Sequence, residues 1–159
     1  MKKGLTIPTL LKIAGALFAL VAFGMMFLPN QYKVGTAGYF VESTDAWAYY
    51  FGDGNGAKGA VLPFVGYIAA ALGAIVAIGA CLVKPSKGTK LAGACAALLA
   101  IAATVFIFVG PTAYSNFNEL GGLGSYVVMS TGTIVGGIFA GLAALAFIGA
   151  MLAPSKKGK

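Results

Sequence analysis

Histidine and arginine are absent from this sequence, and acidic residues number only four. Charged residues make up 9% of the chain and hydrophobic residues 59%. A soluble domain carries roughly a quarter of its residues as charges, so this composition excludes a soluble globular protein. It also excludes a disordered chain, which requires low hydrophobicity. The sequence therefore predicts a single all-α integral membrane domain over residues 1–159.

The missing side chains also exclude most catalytic chemistry. Metal sites need clustered His, Cys or carboxylate ligands, and the two Cys and four acids do not cluster along the chain. A His-based triad is impossible, and no glycine-rich nucleotide motif follows a predicted strand. All eleven basic residues are Lys, so the bidentate contacts by which Arg reads nucleic acid are missing. We expect no enzyme activity, metal, cofactor or nucleic-acid partner.

Four long apolar runs are present, each with about 20 residues, which suffices to cross a hydrocarbon core of about 30 Å as a helix. The first run also resembles a signal peptide, but it is long enough to span and we expect it to be retained. The predicted spans are 9–28, 61–83, 91–110 and 133–153, separated by outer loops 29–60 and 111–132 and an inner loop 84–90, with a tail at 154–159.

The lysines predict the orientation of these spans. One side of the predicted membrane domain holds nine Lys and no acid, whereas the other holds two Lys and four acids. The positive-inside rule therefore places both termini and the inner loop in the cytoplasm. We expect a plasma membrane, preferably bacterial, with a eukaryotic membrane left open. Contacts with anionic lipid are expected for Lys2, Lys3, Lys84, Lys87, Lys90, Lys156 and Lys157.

An internal repeat relates the two halves of the chain. Ten of eighteen positions are identical between Val65–Leu82 and Val135–Leu152, and seven of eleven between Lys12–Ala22 and Lys90–Ala100. Each half would cross the membrane twice, so the copies are parallel repeats about an axis along the membrane normal. The sequence predicts a four-helix transmembrane bundle built from two parallel-repeat helical hairpins. Simple duplication of a hairpin is favoured over a substrate pathway between the repeats.

The long outer loop predicts a small extracytoplasmic cap. Residues 32–34 and 39–41 suit a β-hairpin around a glycine-containing turn, and residues 43–45 offer caps for a short helix over 46–51. The cap is rich in aromatic residues, which suit either a belt at the lipid headgroups or a docking surface. The residues of this predicted outer-loop contact are Tyr39, Phe40, Trp47, Tyr49, Tyr50 and Phe51.

Small residues recur at four-residue spacing along the predicted helices. Such spacing allows helix backbones to approach closely in lipid. One interpretation is packing within a single bundle, and the other is lateral assembly with further subunits. Assembly is slightly favoured because the small residues occupy more than one face of the second and fourth spans. The predicted helix-packing residues are Gly66, Ala70, Gly73, Gly132, Gly136, Gly137 and Gly141.

The leading functional hypothesis is a non-enzymatic tetraspan protein that acts as a structural or assembly subunit. It would pack laterally as a homo-oligomer or serve as a small accessory subunit of a larger membrane complex. The alternative is a channel or facilitator for a small neutral solute or lipid. A membrane-perturbing, holin-like protein is a third hypothesis, disfavoured by the long outer loops. Proton pumps and ion-coupled carriers place charged groups within the membrane, and this chain offers only Lys12 near one end.

Replacing Gly136 or Gly137 by Leu is expected to disrupt lateral assembly. The added side chain would separate two helices that approach through these positions. Particle mass in mild detergent measures the effect. A wild-type oligomer size in both variants would contradict this role for the fourth span.

Overall fold

A computed structural model describes residues 6–36, 39–42, 45–54, 58–84, 86–118 and 126–153. The chain forms four long helices, one short helix and three short strands. In chain order these are α1 (Ile7–Met25), β1 (Tyr32–Thr36), β2 (Tyr39–Glu42), α2 (Ala46–Phe51), α3 (Val61–Leu82), α4 (Lys87–Phe117), β3 (Tyr126–Met129) and α5 (Thr131–Leu152).

The helices α1, α3, α4 and α5 are each long and apolar enough to cross a membrane. The predicted all-α, membrane-embedded bundle is confirmed at this level. Helix α4 is longer than the apolar run 91–110 that predicts it. It begins at Lys87 behind a capping box between Ser86 and Thr89, and it continues through Pro111 to Phe117. At 31 residues it measures about 46 Å, and so extends beyond a hydrocarbon core of about 30 Å.

The four long helices form a ring in which α1 and α4 each pack against both α3 and α5. Alanine dominates the interior, and Ala19, Ala74, Ala100 and Ala143 are fully buried. Most of the large aliphatic side chains point outward instead, and Ile107 on α4 is a fully buried exception. Well-exposed examples on the four helices are Leu17, Ile75, Leu98 and Leu145. Because such side chains are stable in lipid rather than in water, this distribution suits a bundle surrounded by hydrocarbon.

Glycines that the sequence predicts as packing residues lie inside this single bundle. A methyl group built at Gly136 would lie 2.7 Å from Tyr67 Cε1, and one at Gly137 would collide with the Phe108 ring. Gly66 faces α4, where its Cβ would lie 3.0 Å from Phe106 Cβ. These positions bring α3, α4 and α5 of one chain together.

The remaining predicted packing residues differ in how closely their neighbours approach. The added Cβ of Gly73 would lie 3.3 Å from the Ala96 carbonyl oxygen, and that of Gly132 would lie 2.6 Å from Gln31 Nε2. Ala70 is buried, whereas Gly141 has 3.8 Å to its nearest neighbour, Thr104. A Leu at Gly136 or Gly137 would therefore disturb the bundle itself. A changed oligomer size in those variants would not report on contacts between chains.

A three-stranded antiparallel sheet lies at the end of the bundle where α1 ends and α3 and α5 begin, which we call the sheet end. The strand order is β2-β1-β3, so β1 is central. Val34 of β1 pairs with Val41 of β2 and with Val127 of β3. The third strand, β3, is absent from the sequence-based expectations. It joins the two segments that the sequence predicts as outer loops, which belong to different halves of the chain.

Two glycines of α5 provide a matched test of the bundle's internal packing. Gly136→Ala is expected to lower the free energy of unfolding by about 1–3 kcal/mol, because the methyl group must displace the buried Tyr67 ring. Gly141→Ala has room for its methyl group and gains helix propensity of up to about 1 kcal/mol. Unfolding in detergent measures both. Equal stability of the two variants would contradict this packing.

Candidate functional site

Gln31 is the centre of a buried polar cluster at the sheet end. Its side chain is fully buried just beyond the end of α1. The Nε2 atom donates to the carbonyl oxygens of Met25 at 2.8 Å and Leu28 at 2.6 Å. Met25 is the last residue of α1, and its carbonyl oxygen also accepts from the Leu28 amide at 3.1 Å in the turn that follows the helix. The Gln31 side chain therefore acts as a C-terminal cap delivered from the following loop.

The same residue ties α1 to α3 and α5. The Tyr67 hydroxyl on α3 lies 3.0 Å from Gln31 Oε1 and donates to it, and the Gly132 carbonyl oxygen lies 3.3 Å away. The Gln31 carbonyl accepts from the Thr133 hydroxyl and from the Ser130 amide. We call Gln31, Tyr67 and Thr133 the Gln31 cluster. It connects three helices through groups that are all buried.

Glycine makes room for this cluster on α5. A side chain at Gly132 would meet the Gln31 amide, and one at Gly136 would meet the Tyr67 ring. The backbone amide of Gly132 also donates to the Asn30 carbonyl oxygen at 2.7 Å. Two glycines predicted from sequence as a helix-packing face thus accommodate polar side chains of the same chain.

A second cluster consists of three tyrosines packed ring against ring, Tyr32, Tyr49 and Tyr114. Tyr32 lies 4.9 Å from Tyr49 and 4.6 Å from Tyr114 between ring centroids. The hydroxyls of Tyr32 and Tyr114 are 3.1 Å apart. Tyr114 comes from the part of α4 beyond Pro111, so the extension of this helix supplies one side of the tyrosine cluster.

Tyr49 is an exception to the rule that buried polar atoms are paired. Its hydroxyl has no hydrogen-bond partner among the described residues. The nearby Thr133 hydroxyl opposes the rise of the Tyr49 pKa, but it donates its own proton to the Gln31 carbonyl oxygen. A side chain at Gly110 would collide with both Pro63 and the Tyr49 hydroxyl. The Tyr49 ring is therefore held in a closely packed site by shape, not by hydrogen bonding.

Burial keeps these tyrosines neutral. Loss of hydration raises the pKa of Tyr49, Tyr50 and Tyr32 far above the ordinary value, and neighbouring tyrosines raise it further. The Tyr50 hydroxyl donates to the Met26 carbonyl oxygen at 3.0 Å. Such groups hold elements together but are not poised for proton transfer near neutral pH.

The predicted outer-loop contact residues separate into different environments. Tyr49 and Tyr50 are at most 1% exposed and face the interior of the bundle, whereas Trp47 is 48% and Phe51 56% exposed. Asp45 is the N-cap of α2 and accepts from the Trp47 amide at 2.8 Å. The side chains of Tyr39 and Phe40 lie outside the described residues, so the predicted surface retains Trp47 and Phe51.

Three of the predicted anionic-lipid residues lie at the opposite end of the bundle. Lys84, Lys87 and Lys90 are exposed around the turn between α3 and α4. Lys2, Lys3, Lys156 and Lys157 lie outside the described residues.

The described residues do not bring together ligands for a metal. No group of three His, Cys, Asp or Glu side chains lies together within the described part of the chain. Cys81 is half-buried and Cys95 exposed, and both are free thiols. Within α4, the Thr104 hydroxyl donates to the Ala100 carbonyl oxygen at 2.9 Å, which satisfies it inside its own helix.

Gln31 and Tyr67 were not singled out by sequence reasoning. Their signal was available, since an amide and a phenol at the edges of apolar runs must find partners when buried. Comparison with protein families, with curated proteins and with solved structures found no match for this chain.

Two identical chemical changes at the sheet end should have different effects. Tyr67→Phe removes the donor to a buried Gln31 oxygen and is expected to cost about 1–3 kcal/mol of unfolding free energy. Tyr49→Phe removes a buried hydroxyl that has no partner, so it should leave stability unchanged or raise it. Equilibrium unfolding in detergent compares the two variants. A greater loss in Tyr49→Phe than in Tyr67→Phe would contradict the assigned hydrogen bonds.

Proposed function

We propose that this chain is a non-enzymatic structural or assembly subunit of a membrane. It acts by contact, either with further copies of itself or as a small accessory subunit of a larger complex. The observation that best supports this role is that buried polar side chains form hydrogen bonds within the chain. Gln31, Tyr67 and Thr133 bond to one another or to the ends of helices, and so strengthen the bundle.

The interior offers little support for a solute path between the two halves of the chain. Helices α3 and α4, which belong to different halves, approach closely at Gly66 and Gly73. The Gln31 cluster fills the sheet end between α1, α3 and α5. A channel or facilitator for a small neutral solute or lipid is therefore the second candidate function.

The proposed arrangement in the membrane follows the lysines. The sheet and α2 would form an extracytoplasmic cap, and the end of the bundle that carries Lys84, Lys87 and Lys90 would lie in the cytoplasm. The halves α1–α3 and α4–α5 would be parallel repeats. The ring order supports this, because exchange of the halves maps the α3–α4 contact onto the α5–α1 contact. A bacterial plasma membrane remains the proposed location.

Lateral contacts in this proposal use the outward faces of the helices and the cap. The glycines first predicted for this role are occupied inside the bundle, as at Gly136 and Gly137. The outward positions Ile75, Leu98 and Leu145 are each more than 60% exposed and lie on three different helices. They provide a set of probes around the circumference of the protein.

The proposal is tested by particle mass and by photo-crosslinking in the native membrane. Extraction in native nanodiscs should give a uniform multiple of 16.0 kDa or a complex with other subunits. A photo-reactive residue at Ile75, Leu98 or Leu145 should yield a discrete crosslinked protein from at least one face. The same residue in place of the buried aromatic Phe147 is the control, and should crosslink to no other chain.

A monomeric particle whose outward positions crosslink to lipid alone would contradict the assembly role. The facilitator would then be the leading hypothesis, and purified protein in empty liposomes should accelerate the flux of a small neutral solute. Absence of flux in the same liposomes would exclude that alternative.

A further inference from the structure

Four aromatic rings form a continuous surface on one flank of the sheet end, which we call the aromatic ledge. Its members are Phe27, Trp47, Phe51 and Phe64. Trp47 and Phe51 stack nearly parallel, with ring centroids 5.9 Å apart and an interplanar angle of 12°. Phe27 meets Trp47 edge to face at 6.3 Å, and Phe64 lies 5.0 Å from Phe51.

The ledge lies where α2 bridges the ends of two spanning helices. Phe27 follows the end of α1, and Phe64 lies in the first turn of α3. The opposite side of α2 faces inward through Tyr49 and Tyr50, which are buried. The short helix α2 is thus anchored in the bundle by one face and presents aromatic rings along its flank.

About half of the surface of three of the four ledge rings is exposed. Phe27 is 57% exposed, Trp47 48% and Phe51 56%. Exposed aliphatic residues follow along both helices toward the middle of the bundle, namely Leu20 and Val21 on α1 and Val65 and Leu72 on α3. The ledge is therefore continuous with the surface that faces hydrocarbon, and not an isolated patch on the cap.

Polar groups lie at both ends of α2. Asp45 precedes the helix and Asp53 follows it, and both are exposed. The indole Nε1 of Trp47 has no hydrogen-bond partner among the described residues. An apolar ring with an N–H group, adjacent to exposed carboxylates, matches the boundary between acyl chains and lipid headgroups.

We propose that the aromatic ledge is a lipid-binding surface seated in the headgroup and ester region of the outer leaflet. Trp47 donates its indole N–H to lipid carbonyl or phosphate oxygens, and Phe27 and Phe51 lie on the adjoining upper acyl chains. The occupant is phospholipid and not a protein partner, because the ledge continues a lipid-facing flank. This surface does not depend on the assembly role, since a monomer would seat its ledge in the same way.

Trp47 is the only tryptophan in the chain, so its fluorescence reports on this surface alone. Purified full-length protein is reconstituted into phosphatidylcholine vesicles that carry a nitroxide either near the headgroup or near the end of the acyl chain. We expect several-fold stronger quenching of Trp47 by the headgroup-proximal nitroxide than by the chain-end nitroxide. Aqueous iodide should quench it weakly.

A double variant supplies the matched control for depth. Trp47→Phe combined with Leu72→Trp moves the single indole to an exposed position halfway along α3. Its emission should be quenched most by the chain-end nitroxide. Ile75→Trp replaces Leu72→Trp if that variant does not fold.

Strong quenching of Trp47 by iodide, with weak quenching by both nitroxides, would overturn the proposal. The ledge would then be open to water and available to a protein partner. Equal quenching of Trp47 and of the Leu72→Trp variant by the chain-end nitroxide would also overturn it, because α2 would then lie too deep. Neither result depends on the particle mass, so failure of the lipid surface is distinguishable from failure of the assembly role.

Discussion

Helices surrounded by hydrocarbon gain little from hiding apolar side chains, since the lipid is as apolar as leucine. The bundle therefore depends on close contact between helix backbones, and this contact depends on alanine and glycine. Fully buried Ala19, Ala74, Ala100 and Ala143 line the interior, while most leucine and isoleucine side chains face outward. Small side chains also lose little rotamer freedom on folding, so each close contact is made at low entropic cost.

Close packing leaves little space for polar groups, and three of the four buried polar residues in the described part of the chain, Gln31, Ser130 and Thr133, lie at the sheet end. The Gln31 side chain caps α1, accepts from Tyr67 and lies against Gly132. A hydrogen bond that satisfies buried partners on several helices also discriminates against shifted helix registers, since a shift would leave those partners unpaired. Alanine surfaces alone resemble one another along their length. The Gln31 cluster thus gives a repetitive interior one preferred alignment.

The long helices were predictable because composition and run length alone distinguish a membrane span. The partners of each small residue were not. Spacing marks Gly136 and Gly137 as positions of close approach, but it does not reveal that Tyr67 and Phe108 of the same chain lie opposite. The burial of each aromatic ring in the cap was equally hard to predict, because the adjacent residues Tyr50 and Phe51 are 1% and 56% exposed. Strand β3 was missed since its pairing with β1 depends on residues far away along the chain.

That pairing of β1 with β3 has a consequence for the order of synthesis. Strand β1 is made immediately after α1, but β3 follows α4, so three more helices must be produced before β1 obtains its second neighbour. Until then one edge of β1 keeps unpaired amide and carbonyl groups, which are reactive toward other extended chains. A chain whose synthesis stopped after α3 would carry this open edge. Completion of the sheet therefore distinguishes a fully inserted protein from a half-inserted one.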